Sequence, residues 1–141
     1  GQSRPKAAAL MAALDTHVVL RLLVGDDAKQ ARAAEKQVAA EACTVAPSVL
    51  MECEWVLRAV YRLDPALIAS SFRDLLALPH IDALDPVLTQ QALRGYEAGL
   101  DFADALHAAQ RRDGERFLTF DRLLARRAPK AGVLAVELLR G

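Results

Sequence analysis

Five acidic side chains carry the pattern that could do chemistry. Asp15 follows the apolar run Ala12-Ala13-Leu14 and opens Thr16-His17-Val18, while Asp121 follows Phe117-Leu118-Thr119-Phe120 and opens a helical segment. Glu52 lies just over a turn into the helical pattern behind Cys43-Thr44-Val45-Ala46, and Asp101 and Asp104, three apart, share one helical face. Open parallel sheets bind ligands outside the carboxyl ends of their strands, which is where Asp15, Glu52 and Asp121 fall. Carboxylates brought to ~4 Å repel by about 4 kcal/mol per pair at an effective dielectric near 20, so an uncompensated cluster protonates or splays. A divalent cation removes that conflict. An oxygen-only donor set, without His or Cys at metal spacing, points to Mg2+ or Mn2+ rather than zinc. Two such ions ~3.5–4 Å apart can hold a phosphodiester, activate water and stabilise the departing oxygen.

Each of these residues also has a plainer reading. An Asp at a strand-to-helix turn is by default an N-cap, and Asp101-Phe102-Ala103-Asp104 could be a capping box with Asp in the Glu position. Capping alone, however, does not require the carboxylates to share one sheet edge. Glu52 and Glu54 flank opposite sides of the stripe Val49, Cys53, Val56, Val60, and periodicity does not choose between them. Arg58 stands four residues after Glu54 in the favoured acid-before-base order, so a surface ion pair accounts for Glu54 and leaves Glu52 as the expected ligand. Thr16 and Thr119 lie within two residues of an acid; they either support the carboxylates with hydroxyl hydrogen bonds or are an ordinary strand and cap Thr.

These positions need a scaffold of strands and helices. Short apolar runs at Met11–Leu14, Cys43–Ala46, Ile81–Leu84, Arg116–Thr119 and Val133–Val136 alternate with helical patterns, which predicts strand-helix-strand units and a three-layer α/β/α domain around a mostly parallel sheet of about five strands. The helices are expected at Val18–Val24, Asp27–Glu41, Pro47–Tyr61, Pro65–Leu78, Pro86–Ala98, Phe102–Arg112 and Arg122–Arg127, with Asp64, Asp85, Asp101 and Asp121 placed to cap four of them. The chain's 141 residues, 53% apolar, suit one core, taken as a single domain over residues 11–141. Residues 1–10, polar and then Ala-rich, read as an added or disordered leader. No apolar run reaches the ~20 residues that span a bilayer, and the two cysteines, Cys43 and Cys53, complete neither a knuckle nor a disulfide framework; a cytoplasmic protein is expected.

Charge is less informative. Lys+Arg and Asp+Glu are both 18, without the basic excess of many nucleic-acid binders. From Arg111 onward there are eight basic residues against four acidic ones, and Arg122, Arg126 and Arg127 are candidates for tracking phosphates; a solvated face is the plainer reading. Trp55 with Leu57 and Tyr61 could stack bases but fits a core or subunit interface better. His17, His80 and His107 are scattered and form no ligand or nucleophile pattern.

The segments Leu14-Asp15-Thr16-His17-Val18, Met51-Glu52-Cys53-Glu54-Trp55-Val56-Leu57, Asp101-Phe102-Ala103-Asp104-Ala105-Leu106-His107 and Leu118-Thr119-Phe120-Asp121-Arg122 occur in the order and approximate spacing of the PIN domain, and from Met11 onward the chain most resembles the branch containing VapC-type toxins. The resemblance implies an Mg2+- or Mn2+-dependent endoribonuclease with Asp15, Glu52, Asp104 and Asp121 as its catalytic acids and Asp101 as an additional ligand. It also implies a VapB-type antitoxin partner and a homodimer. His17 departs from the family's usual Asn. The rival readings are a catalytically silent PIN-like binding module and a Mg2+-dependent phosphotransfer domain; the latter wants a Lys at the site, and no Lys follows a candidate strand except near Lys130.

Overall fold

The computed structural model describes residues 11–141, so the expected leader, residues 1–10, lies outside the described residues. The chain forms two compact units, the first ending at Asp85 and the second running Pro86–Gly141.

The first unit contains β1 (Ala12–Ala13), α1 (Thr16–Leu23), α2 (Ala28–Ala40), β2 (Cys43–Val45), α3 (Pro47–Ala59), α4 (Pro65–Leu76) and β3 (Ile81–Ala83). Its three strands form a parallel sheet in the order β1-β2-β3, with Ala12 opposite Cys43 and Cys43 opposite Ile81. Cys43 and Val45 of the middle strand are fully buried, as both ends of a strand covered by packing must be. Side-chain caps start the helices. Asp27 accepts from Gln30 N at 3.0 Å and Asp64 from Leu67 N at 3.0 Å, and Pro47 and Pro65 occupy first-turn positions whose missing N–H costs nothing. Leu50, Leu57, Ile68 and Phe72 are almost completely buried, each contributing about 1.5–3 kcal/mol by removal from water.

The second unit contains α5 (Pro86–Glu97), α6 (Phe102–Ala109), β4 (Phe117–Thr119), α7 (Arg122–Arg127), a 3-10 turn (Pro129–Ala131) and β5 (Val136–Leu138). β4 and β5 pair in parallel, Phe117 opposite Val136. Gly95 lets α5 approach α6 closely: a Cβ there would stand 3.1 Å from that of Ala105 and 3.3 Å from a Leu100 methyl. Tyr96 and Phe102 meet edge to face at 5.3 Å across the same turn. Leu100, Ala105, Leu124 and Ala128 form a core against which Phe117 and Val136 pack.

Among the described residues the five expected strands and seven expected helices are found, and every strand pair is parallel. The hydrogen bonding, however, forms a three-stranded and a two-stranded sheet rather than one ladder of five. The last strand also begins later than Val133. Val133 N still bonds Ala128 O and Gly132 N bonds Pro129 O, with Gly132 left-handed at φ 82°, so this segment ends a helix and only then turns into β5. α6 stops at Ala109 rather than Arg112, because the N–H of Gln110 bonds back into the last turn and Arg112 N bonds the Glu115 carboxylate.

Candidate active site

In the first unit, β1 delivers Asp15 to the start of α1, where its Oδ1 accepts from Val18 N at 3.0 Å. Thr16, the first residue of α1, donates its hydroxyl to Glu52 Oε1 on α3 at 2.6 Å, joining residues 36 apart in sequence. Cys53, beside Glu52, is fully buried and its Sγ lies 3.7 Å from the Thr16 carbonyl oxygen. Its thiol is pushed up to about 12 by burial first, and then by the negative charges of Glu52 and Asp15. Both carboxylates therefore bear on one buried sulfur, which puts them at the same end of α1 and α3. Next to them a cavity of about 550 Å3 opens between α1 and α2, lined among others by Asp15, His17, Arg21 and Gln37.

The other glutamate behaves differently. Glu54 takes a bidentate contact from Arg58, at 2.7 Å and 3.3 Å, as the spacing predicts. Only one partner is at the surface: Glu54 is 3% exposed, while Arg58 remains exposed. The face of α3 that carries Glu54 packs inward, which the ambiguous stripe does not reveal, while Glu52 on the opposite side stays exposed.

In the second unit, Asp101 caps α6 by accepting from Asp104 N at 3.2 Å. Asp121 caps α7 by accepting from Leu124 N at 3.0 Å, and its own N–H is held by Thr119 Oγ1 at 2.9 Å. Only half of the expected capping box forms, so Asp104 is free of that duty. Its carboxyl is held above the usual carboxylate range, chiefly by burial, then by Asp101 and Asp121, with His107 pulling the other way. Asp101 and Asp121 thus lie within electrostatic reach of Asp104, which is partly desolvated and without a capping role.

The plain reading and the chemical one hold together. Asp15, Asp101 and Asp121 are N-caps, but each cap bond engages a single carboxylate oxygen and leaves the second. The free donors are oxygens, the type that suits a hard divalent cation, and Asp104 is raised first by burial and then by the charges of Asp101 and Asp121. Among the described residues no three His, Cys, Asp or Glu side chains are already gathered as a ready-made metal set.

The remaining candidates divide. Arg122 and Arg126 are exposed on α7, and Arg127 donates to Gly99 O at 3.3 Å. Trp55, 57% exposed, is not core, Leu57 is buried, and the Tyr61 hydroxyl donates to Asp26 at 2.6 Å. His17, His80 and His107 are all exposed. Sequence reasoning missed Cys53 as the buried backing of the Thr16–Glu52 contact and missed the cavity beside Asp15; both arise from helix packing, and the only signal for the former was an apolar-sized residue next to Glu52.

No helix among the described residues is long and apolar enough to cross a membrane. No curated protein and no solved structure matches the chain. The family model of the PIN domain matches residues 12–130, a stretch that crosses from the first unit into the second and includes all five acids. PIN domains are three-layer α/β/α folds, are generally nucleases and typically use divalent metal ions. On a match of that extent, the chain belongs to the PIN-domain family.

Proposed function

We propose that this chain is a VapC-type toxin, an endoribonuclease that needs Mg2+ or Mn2+ and is held in check by a VapB-type antitoxin. The observation that carries the catalytic part is Asp104: a half-buried carboxylate, relieved of capping, set against Asp101 and Asp121 with its proton affinity raised. A structural acid gains nothing from that position, whereas a cation ligand does.

In this reading Asp15, Glu52, Asp104 and Asp121 are the catalytic acids and hold the cation, with Asp101 as a further ligand. When bound, the cation supplies Lewis-acid stabilisation of the scissile phosphate and lowers the pKa of water. The chain's own residues do the positioning. Thr16 fixes the rotamer of Glu52, and the cap bonds to Val18 N, Asp104 N and Leu124 N fix Asp15, Asp101 and Asp121 before substrate arrives. Asp121, with its backbone N–H tied to Thr119, is the acid we assign to orienting the attacking water. Arg122 and Arg126 are exposed and set to meet neighbouring phosphates. Self-association through the exposed face of α3 at Trp55 belongs to the same reading.

The test is incubation of purified protein with structured RNA and with DNA, each with Mg2+, Mn2+ or EDTA. RNA cleavage abolished by EDTA is expected. Metal-independent cleavage, or none with any combination in protein freed of bound partner, rejects the enzyme and leaves the silent binding module. Transfer of phosphate to the protein would favour the phosphotransfer reading.

A further inference from the structure

The second unit holds a cavity that the carboxylates do not line. It measures about 390 Å3 and lies between Gln91 and Arg94 of α5, Ala105 and Ala109 of α6, Arg111 just past α6, and Val133. Ala105 and Ala109 are one turn apart on α6, and neither Asp101 nor Asp104 lines the cavity.

Its lining carries two guanidinium groups and no acid. Arg111 is fixed in place: Nε donates to Glu115 O at 3.1 Å and Nη1 to Ala108 O at 2.9 Å. Both acceptors are neutral carbonyls, so the bonds order the side chain without cancelling its charge. A guanidinium has five N–H groups, and these contacts leave others to be used. Ordered, uncancelled and partly buried, Arg111 is prepared for an anion, and Arg94 adds a second charge from the facing helix. The remaining wall is alanine and valine side chains and the backbone of Gly132, with one carboxamide, Gln91. The volume is that of a small-molecule pocket, ~300–1,000 Å3, and a bare phosphate would leave most of it empty.

We propose that this cavity binds a nucleotide, with Arg94 and Arg111 on its phosphate and the alanine wall and Gln91 against the attached nucleoside. The phosphate can come from a free mononucleotide or from the phosphorylated end of an RNA. The inference does not rest on cleavage and stands if the nuclease reading fails.

Backbone amide resonances, followed in EDTA so that no cation bridges phosphate to the acids, test it. The probes are AMP, adenosine, inorganic phosphate, and one short RNA with and without a 5′-phosphate. AMP, the phosphorylated RNA or both should shift Arg94, Arg111 and Gly132, and adenosine should not; AMP alone identifies the free nucleotide as ligand, the RNA alone the chain end. Arg94→Gln, an exposed helical substitution that leaves the fold intact, should weaken binding about tenfold, as loss of a charge-assisted contact does. Arg111→Lys, which keeps charge but loses the fork, should weaken it as well. Absence of shifts at these amides with every phosphate-bearing probe, or unchanged affinity in Arg94→Gln, overturns the site. Inorganic phosphate binding as tightly as AMP overturns its assignment to a nucleotide.

Discussion

The hydroxyl of Thr16 donates to the carboxylate of Glu52 at 2.6 Å, linking the start of α1 to the second turn of α3. This bond orients Glu52 although its side chain is exposed. Thr16→Val removes the donor while keeping the shape. It should lower RNA cleavage or metal affinity by about 10- to 100-fold, with stability changed by no more than about 1 kcal/mol. Cleavage rate against Mg2+ concentration, together with a urea melt, checks both; wild-type metal dependence in the variant would show that the bond is incidental.

The two glutamates of α3 should separate activity from stability. Glu54 is buried against Arg58, so Glu54→Gln should cost about 2 kcal/mol of stability and leave cleavage by the folded fraction near wild type. Glu52→Gln should do the reverse. Denaturant midpoints and specific activities of the two variants decide it, and an inactive but fully stable Glu54→Gln would exchange their roles.

Asp104 has a sign that can be worked out. Its folded pKa is raised above the ordinary 3.8, so over the interval between the two values the folded chain holds a proton that the unfolded chain has lost. Stability of the metal-free protein therefore falls as pH climbs through that interval and carries a constant penalty above it. Asp104→Asn removes the penalty. It should abolish cleavage yet raise metal-free stability at neutral pH by less than about 1 kcal/mol, the half-exposed site being screened. Saturating Mg2+ should raise the Tm of the wild type more than that of the variant. Thermal melts at pH 4 and pH 7, with and without Mg2+, read all three effects; a clearly destabilised variant would make Asp104 a structural acid.

Cys53 should be inert while the protein is folded. It is fully buried, and its thiol is pushed up to about 12, so almost no thiolate exists near neutral pH. An alkylating reagent at pH 8, followed by mass spectrometry, should leave Cys53 unmodified until denaturant is added. Rapid native labelling would mean that the contact between α1 and α3 opens readily.

Much of the scaffold was legible because its signals are local. Asp64, Asp101 and Asp121 announce helix starts by a side-chain bond that spans three residues, and Pro47 and Pro65 mark first turns. The misses are non-local. Nothing in Phe117–Thr119 or Val136–Leu138 says which strands they bond, so the division into two sheets was invisible. Val133 looks like a strand residue, but Gly132 commits it to closing the preceding helix. The spacing of Glu54 and Arg58 announces their ion pair and says nothing of its burial, which follows from how α3 packs. The acids were singled out by type and position alone; that Asp104 escapes capping while Asp101 does not is a matter of geometry. The arginine-lined cavity draws on Arg94 and Arg111, 17 positions apart, and has no pattern in the sequence.

The proposed function asks one cation to serve acids from both units, and Mn2+ titration followed by paramagnetic broadening of amide resonances tests that proposal most directly. Asp15, Thr16 and Glu52 in the first unit and Asp101, Asp104 and Asp121 in the second should broaden together, over one range of Mn2+ concentration, and recover on adding EDTA. Broadening confined to one unit, or spread evenly over unrelated surface acids such as Asp74 and Asp113, would contradict a shared metal site.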